Sequence, residues 1–173
     1  MPMQNTMTAS RPPPAVTLFP MPAAEFDAYR RITLEHYAAD LLRMEGGTVA
    51  STAQRAAQDF ETLLPEGMHT DNQHFFTLQC VARQTTIGYL WLGENATERG
   101  PGAFIYDMLI LPACRGMGYG TQTLREAEAW ARQRGMTHIG LAAFGHNEGA
   151  LRLYRRMGYQ TTQLRMSKAL AVG

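Results

Sequence analysis

The sequence predicts one α/β (α+β mixed) domain, built on a central mixed, mostly antiparallel, twisted sheet with helices on both faces. Strand-like and helical patterns follow one another in the order strand, helices, three strands, helix, strand, helix, strand. The chain has 173 residues, 45% of them hydrophobic and 18% charged, which suits one ordinary globular domain. We place this domain over residues 15–173. Residues 1–14, which end in three prolines, are predicted to be a disordered tail.

The composition argues against several classes of protein. A formal net charge of +1 gives no strong field for nucleic acid or for an anionic membrane. No apolar run approaches the roughly 18–20 residues of a membrane-spanning helix. Cys80 and Cys114 lack the spacing of a metal site, and residues 1–14 lack the apolar segment of a secretory signal. We therefore expect a cytoplasmic protein without a metal, and both a monomer and a homodimer remain open.

The N-terminal half is predicted to contain one strand and several packing helices. A short strand over residues 16–19 ends at prolines, and residues 25–44 carry helical apolar stripes in two pieces. A glycine pair ends this region, after which Ser51 or Thr52 caps a further helix.

The C-terminal half alternates strands and helices. Its predicted elements are hairpin strands over 74–81 and 86–92, a polar loop over 94–102, the central strand over 103–111, a helix over 119–134, a strand over 138–144, a helix that Asn147 caps and that ends at Gly158, and one or two strands over 160–169.

The turn after the central strand combines the features of an anion-binding site. Gly116, Gly118 and Gly120 stand at every second position directly before a helix. Glycines let a ligand approach the backbone closely, and the first N–H groups of a helix have no helical partner. Phosphate is therefore the natural ligand. A Walker A loop would need a lysine here, but the only lysine is Lys168, and a dinucleotide fingerprint would need a glycine where Thr121 stands.

Two motifs resemble the GCN5-related N-acetyltransferase (GNAT) superfamily. The motifs are Arg115-x-x-Gly118-x-Gly120, which follows a strand ending in x-Pro, and Asn147-x-x-Ala150-x-x-Leu153-Tyr154-x-x-x-Gly158-Tyr159. Together they span residues 104–159. Segments at 64–67, 88–91 and 144–147 resemble a poorly characterised bacterial branch of the superfamily.

The resemblance implies the GNAT fold, with acetyl-CoA bound where the central strand and the strand over 138–144 splay apart. The pantetheine arm would pair with exposed main chain at the end of the central strand. The residues assigned to acetyl-CoA in this way are Leu109, Ile110, Leu111, Arg115, Gly116, Met117, Gly118, Tyr119, Gly120, Thr121, Asn147 and Tyr154.

The same resemblance implies an acetyl-CoA-dependent N-acetyltransferase. Acetyl would pass directly to a primary amine in a ternary complex, because no Cys–His or Ser–His pair has the setting needed for an acetyl-enzyme. The acceptor is expected to be a small molecule, whose identity the sequence does not reveal. Two alternatives stay open: a CoA-binding regulatory or partner module with weak catalysis, and a protein or peptide N-acetyltransferase.

Asp107 is one candidate catalytic residue, because it is the only carboxylate in the central strand. Strict alternation puts Phe104, Tyr106, Met108 and Ile110 on one face and Ile105, Asp107, Leu109 and Leu111 on the other. Asp107 could accept the proton of the amine, relay it through water or anchor the ammonium, and a purely structural role is equally open. Glu94 and Glu98 are the next candidates.

Tyr154 is the second candidate catalytic residue, in the role of general acid. It lies seven residues after Asn147, about two helical turns, so both side chains share one helix face. A phenol is neutral at pH 7 and can protonate a departing thiolate. A packing role for the Tyr154 ring is the alternative.

Overall fold

The strands form one five-stranded sheet in the order β1-β2-β3-β4-β5, in which β1 to β4 are antiparallel and β5 runs parallel to β4. The strands are β1 (Val16–Pro20), β2 (Gln73–Cys80), β3 (Thr85–Thr97), β4 (Gly100–Ile110) and β5 (His138–Leu141). The helices are α1 (Ala23–Glu45), α2 (Val49–Leu63), α3 (Tyr119–Gln133) and α4 (Glu148–Arg156). The predicted fold class is confirmed.

The computed structural model describes residues 15–168 and Leu170. The tail predicted for residues 1–14 therefore lies outside the described part of the chain. Within that part, no helix combines the length and apolar character needed to cross a bilayer.

Two cores lie on opposite faces of the sheet. The first is aromatic and joins α1 and α2 to the sheet; its buried side chains are Met21, Phe26, Tyr29, Phe60, Leu64, Phe75 and Trp91. The second is mainly aliphatic, and α3 supplies Leu124, Ala127, Trp130 and Ala131 to it. Helices therefore pack against both faces of the sheet.

Two predicted helix details are wrong. The chain from Ala23 to Glu45 is one helix, not two pieces, because it contains no glycine or proline to interrupt its hydrogen bonds. Helix α2 is capped by Thr48, not by Ser51 or Thr52. The Thr48 hydroxyl accepts a bond from the Ser51 N–H at 3.1 Å, and the Thr48 N–H donates to Ser51 Oγ at 3.1 Å. This reciprocal pair places Ser51 in the first turn.

The predicted polar loop over 94–102 is instead a long hairpin. Strand β3 continues to Thr97, and β4 begins at Gly100, so that only two residues form the turn. Gly100 has a φ of +102°, a conformation that side chains rarely adopt. Main-chain pairing holds these polar residues in strands even though their side chains are largely exposed.

The last predicted strands are also corrected. Strand β5 stops at Leu141 instead of continuing to residue 144, because its pairing with β4 ends there. Residues 160–168 form no strand in the described part of the chain, and Ala169 lies outside it.

Candidate active site

The candidate site is a cleft that opens where β4 and β5 separate. The two strands pair only from Gly102–His138 to Ile105–Leu141, and the rest of β4 has no partner on that side among the described residues. A bulge at this point explains the separation. Trp91 pairs with Asp107 and Leu92 with Ile105, so Tyr106 is an extra residue in β4. Such a bulge bends a strand and increases its twist.

The bulge also changes which side chains share a face of the sheet. The strict alternation predicted for the side chains of β4 is therefore wrong. Met108 and Ile110 pack with Ile105 against the α3 core. Asp107 instead faces α1, where it meets two hydroxyl groups. A single inserted residue thus turns the carboxylate away from Ile105 and toward the aromatic layer.

Asp107 is held by two donors from α1. The Tyr29 hydroxyl and the Thr33 hydroxyl each donate to Asp107 Oδ2 at 3.1 Å. Burial raises the pKa of Asp107, and the hydrogen bonds from Thr33 and Tyr29 lower it in part. The carboxyl group is therefore a better base than an exposed aspartate and is fixed in orientation.

Asp107 lines a cavity of about 300 Å³ that reaches from α1 and α2 to β5 and α4. Seven aromatic side chains line it: Tyr37, Phe60, Trp91, Phe104, Tyr106, Phe144 and Tyr154. Three carboxylates line it too, those of Asp40, Asp59 and Asp107, whereas its described lining contains no lysine, arginine or histidine. An aromatic and acidic enclosure of this kind favours an organic cation.

Two of these carboxylates have partners at the rim of the cavity. The Tyr37 hydroxyl donates to Asp59 Oδ2 at 2.9 Å, and Arg55 Nε donates to both oxygens of Asp59. Burial and the Asp59 carboxylate together raise the pKa of Tyr37 to about 12. Asp40 Oδ1 lies 2.7 Å from His146 Nε2, which joins α1 to the loop after β5.

Tyr154 enters the same cavity from α4, and Asn147 lines it from the start of that helix. The Ala150 N–H donates to Asn147 Oδ1 at 3.2 Å, so Asn147 caps α4 as predicted, and its amide N–H₂ donates to no group among the described residues. Burial raises the pKa of Tyr154, and the negative charge of Asp107 raises it further. The phenol therefore stays protonated at neutral pH.

The glycine turn follows the carboxyl end of β4, the strand that forms one side of the cleft. Gly116 has a φ of +74°, and Gly118, the N-cap of α3, has a φ of +85°. Within the described chain, none of the N–H groups of residues 116–121 donates to another atom; the first helical bond runs from Gln122 N–H to Gly118 O at 3.3 Å. Space around Gly116 is open, with no atom within 4 Å of an added Cβ. The turn therefore offers main-chain N–H groups that can donate hydrogen bonds.

Arg115 positions this turn through its side chain. Arg115 Nε donates to Ile110 O at 3.0 Å, which ties the turn to the last residue of β4.

The side chains of Tyr119 and Met117 differ in their exposure. The Tyr119 ring is buried and its hydroxyl donates to Cys80 Sγ at 3.2 Å, so only its main chain faces a ligand, whereas the Met117 side chain is exposed.

The main chain of β4 presents different residues to its two neighbours. Leu111 N–H donates to Ile87 O at 2.9 Å, so Leu111 faces β3. Main-chain groups alternate along an antiparallel pair, so Leu109 also faces β3, while Ile110 and Met108 face the open cleft. Among the three residues predicted to pair with pantetheine, only Ile110 has cleft-facing main chain.

Other predicted candidates lie elsewhere. Glu94 contacts His74 at 2.9 Å and Arg134 at 3.9 Å, and Glu98 is exposed; neither lines the cavity. The sequence reasoning missed the contribution of α1. Thr33, Tyr37 and Asp40 recur at helical spacing, and this polar stripe within an otherwise packing helix was the available signal.

Comparisons with known proteins agree with this geometry. The profile of the Acetyltransferase (GNAT) family matches residues 31–159. YycN of Bacillus subtilis, an uncharacterised N-acetyltransferase, is 32% identical over 155 residues, which cover 90% of this chain and 99% of YycN. The crystal structure of YycN superposes with a TM-score of 0.84, covering 91% of this chain and 100% of that one.

A relative named for its acceptor matches a shorter stretch. The aminoglycoside N(6')-acetyltransferase type 1 of Acinetobacter haemolyticus is 35% identical over 69 residues, or 40% of this chain and 48% of that protein. The family profile, the near-complete coverage of YycN and the shared architecture lead to one conclusion: this chain belongs to the acetyltransferase (GNAT) family.

Proposed function

We propose that the protein transfers an acetyl group from acetyl-CoA to the primary amine of a small cationic molecule. The observation that carries this proposal is an amide-lined glycine turn that follows β4, the strand whose Asp107 lines a cavity together with Tyr154. Cys80 and Cys114 are free thiols, which favours a reducing compartment, and we assign the reaction to the cytoplasm.

The residues present fit acetyl-CoA. The unpaired amides of residues 116–121 and the positive end of α3 would hold the pyrophosphate. Main-chain groups of Met108 and the N–H of Ile110, together with the side-chain amide of Asn147, would hold the pantetheine arm; the Ile110 carbonyl already accepts from Arg115. Acetyl-CoA supplies an activated acetyl thioester when it is bound.

Asp107 and Tyr154 divide the proton transfers. Both hydroxyl donors bind Asp107 Oδ2, which leaves Oδ1 to accept a proton from the ammonium, directly or through water. Tyr154, kept protonated, would deliver a proton to the thiolate that leaves. Direct transfer needs no nucleophilic side chain, and none of the described cavity-lining residues is a cysteine, a serine or a histidine.

The lining of the cavity indicates the acceptor class. The Asp107 carboxylate attracts an ammonium, whereas Asp40 and Asp59 already have His146 and Arg55 as partners. The aromatic walls stabilise a cation and its carbon skeleton. A volume of about 300 Å³ suits a small molecule better than a folded protein. The Acinetobacter haemolyticus relative named for aminoglycosides supports an amino-sugar acceptor.

The test is a thiol-release assay with acetyl-CoA over polyamines, aminoglycosides, amino acids, neutral amines and peptides. We expect release of free CoA with cationic small amines, and little with amino acids, which carry a carboxylate. Calorimetry with CoA provides the parallel measurement. Binding of CoA without turnover on any amine would favour the regulatory module, and turnover on peptides alone would overturn the small-molecule assignment.

A further inference from the structure

The segment that connects β5 to α4, residues 142–147, is held by few contacts of its own. Outside the helices and strands, the described main chain of residues 142–146 makes one hydrogen bond, in which Phe144 O accepts from the Asn147 N–H at 3.0 Å. Phe144 is half-buried, and the other residues of the segment are exposed. A segment with so little main-chain bonding and burial depends on other contacts to hold one conformation.

One side-chain pair joins this segment to α1. His146 Nε2 lies 2.7 Å from Asp40 Oδ1, across 106 residues of sequence. A carboxylate can only accept a hydrogen bond, so Nε2 carries the proton and donates it. Among the described residues, this is the one side-chain hydrogen bond that links residues 142–146 to another element. The pair therefore decides how the segment lies against α1.

The position of His146 sets the position of two residues that line the cavity. The His146 ring stacks on the Phe144 ring, with centroids 5.5 Å apart and 20° between the ring planes. Phe144 contacts Tyr37 of α1 at a centroid distance of 6.1 Å, and both rings line the cavity. Asn147, the next residue along the chain, lines the same cavity and caps α4. Fixing His146 thus places an aromatic wall and the side-chain amide that we assign to the pantetheine arm.

We infer that Asp40 and His146 are positioning residues, which hold residues 142–147 against α1 in the conformation that binds both acetyl-CoA and the amine. This inference rests on the proposed function, because it gives Asn147 to acetyl-CoA and the cavity to the amine. Without the hydrogen bond, only a fraction of the molecules has the segment in place, and the apparent Kd of each ligand rises by the inverse of that fraction. Each ligand restores the segment for the other, so kcat, measured with both bound, is retained.

The first test is the affinity for CoA of His146→Ala and of Asp40→Ala, measured by calorimetry. We expect Kd to rise about three- to tenfold in each, since tenfold corresponds to about 1.4 kcal/mol, the upper range for one hydrogen bond. Asp40→Ala also removes a negative charge, which by electrostatics alone would strengthen the binding of anionic CoA. A weaker affinity therefore identifies positioning. The double variant should bind no more weakly than the weaker single variant, because both remove the same bond.

Kinetics and two further variants complete this test. In His146→Ala, KM should rise for acetyl-CoA and for the amine, while kcat stays within about twofold of the wild type. His146→Gln keeps an N–H donor and should bind CoA more tightly than His146→Ala. The matched control is His74→Ala, which removes the pair of His74 Nε2 with Glu94 Oε1 at 2.9 Å. That pair is similarly exposed but does not line the cavity, so the control should bind CoA as the wild type does.

The order of the segment can be measured without CoA and without turnover. Backbone ¹⁵N relaxation of the ligand-free wild type should give order parameters near 0.85, about the rigid value, for residues 143–147, and values below about 0.6 in His146→Ala. His74→Ala should leave them unchanged.

Three results would overturn the inference: a segment already mobile in the wild type, an unchanged CoA affinity in both single variants, or a kcat that falls in His146→Ala while KM stays constant. If no amine is acetylated but CoA affinity and segment order change as expected, the proposed function fails and this inference stands.

Discussion

Removing the Thr33 hydroxyl should shift the pH at which the enzyme becomes active. Thr33→Val keeps the shape of the side chain and deletes one of the two hydroxyls that donate to Asp107 Oδ2. These bonds stabilise the carboxylate form, and they oppose the burial that favours the neutral acid. Their loss must therefore raise the pKa of Asp107.

The size of the shift follows from the hydrogen bond. A bond to a charged group contributes about 1.5–3 kcal/mol. Since 1.36 kcal/mol corresponds to one pKa unit, the pKa of Asp107 should rise by about one to two units. The carboxylate is the active form of a base, so activity should be lost at a correspondingly higher pH as the solution is acidified.

The assay is kcat/KM as a function of pH, which reports ionisations of the free enzyme. The acidic limb should move to higher pH in Thr33→Val, with the plateau above it largely retained. Tyr37→Phe is the control, because it also removes a cavity hydroxyl but one that bonds Asp59 instead. An acidic limb that is unchanged in Thr33→Val, with CoA binding intact, would refute the role of Asp107 as the base.

Three further predictions concern the cofactor turn and the proton transfers. Gly118→Val should weaken CoA binding at least about tenfold in calorimetry, because a branched side chain is strained at φ +85° and crowds the main-chain amides. The control is Gly135→Val, which is equally strained, at φ +71°, but lies at the far end of α3 and should bind CoA normally. Tyr154→Phe should lower kcat by about 10²–10⁴-fold with little change in CoA affinity. If the variant kept the kcat of the wild type, the role of Tyr154 would be limited to packing. Asp107→Asn should abolish most turnover yet not destabilise the fold at neutral pH. Folding raises the pKa of Asp107, so the wild-type protein loses stability as the pH rises and this carboxyl group ionises. The Tm of Asp107→Asn relative to that of the wild type should therefore increase with pH and decrease on acidification. A Tm difference that stays constant across pH would contradict this.

Features that depend on neighbours in the sequence could be read from it. The glycine turn before α3 and the Asn147 cap of α4 are made by residues within a few positions of one another, and both occur as predicted. The element order up to α4, and with it the fold class, followed from local patterns of apolar residues, whereas the strands predicted after α4 did not. The hairpin over residues 94–102 escaped prediction because its side chains are polar, and its structure depends on main-chain pairing with the opposite strand.

The arrangement around Asp107 was decided only by tertiary structure. Tyr29 and Thr33 meet Asp107 across 78 and 74 residues of sequence, and no local pattern encodes that contact. The bulge at Tyr106 was equally invisible, because it is a mismatch in register between two strands and not a property of either one. It turns Asp107 toward α1 and ends the pairing with β5. The sequence by itself determined that a glycine-rich turn follows a central strand, whereas long-range packing determined which face of that strand carries the carboxylate.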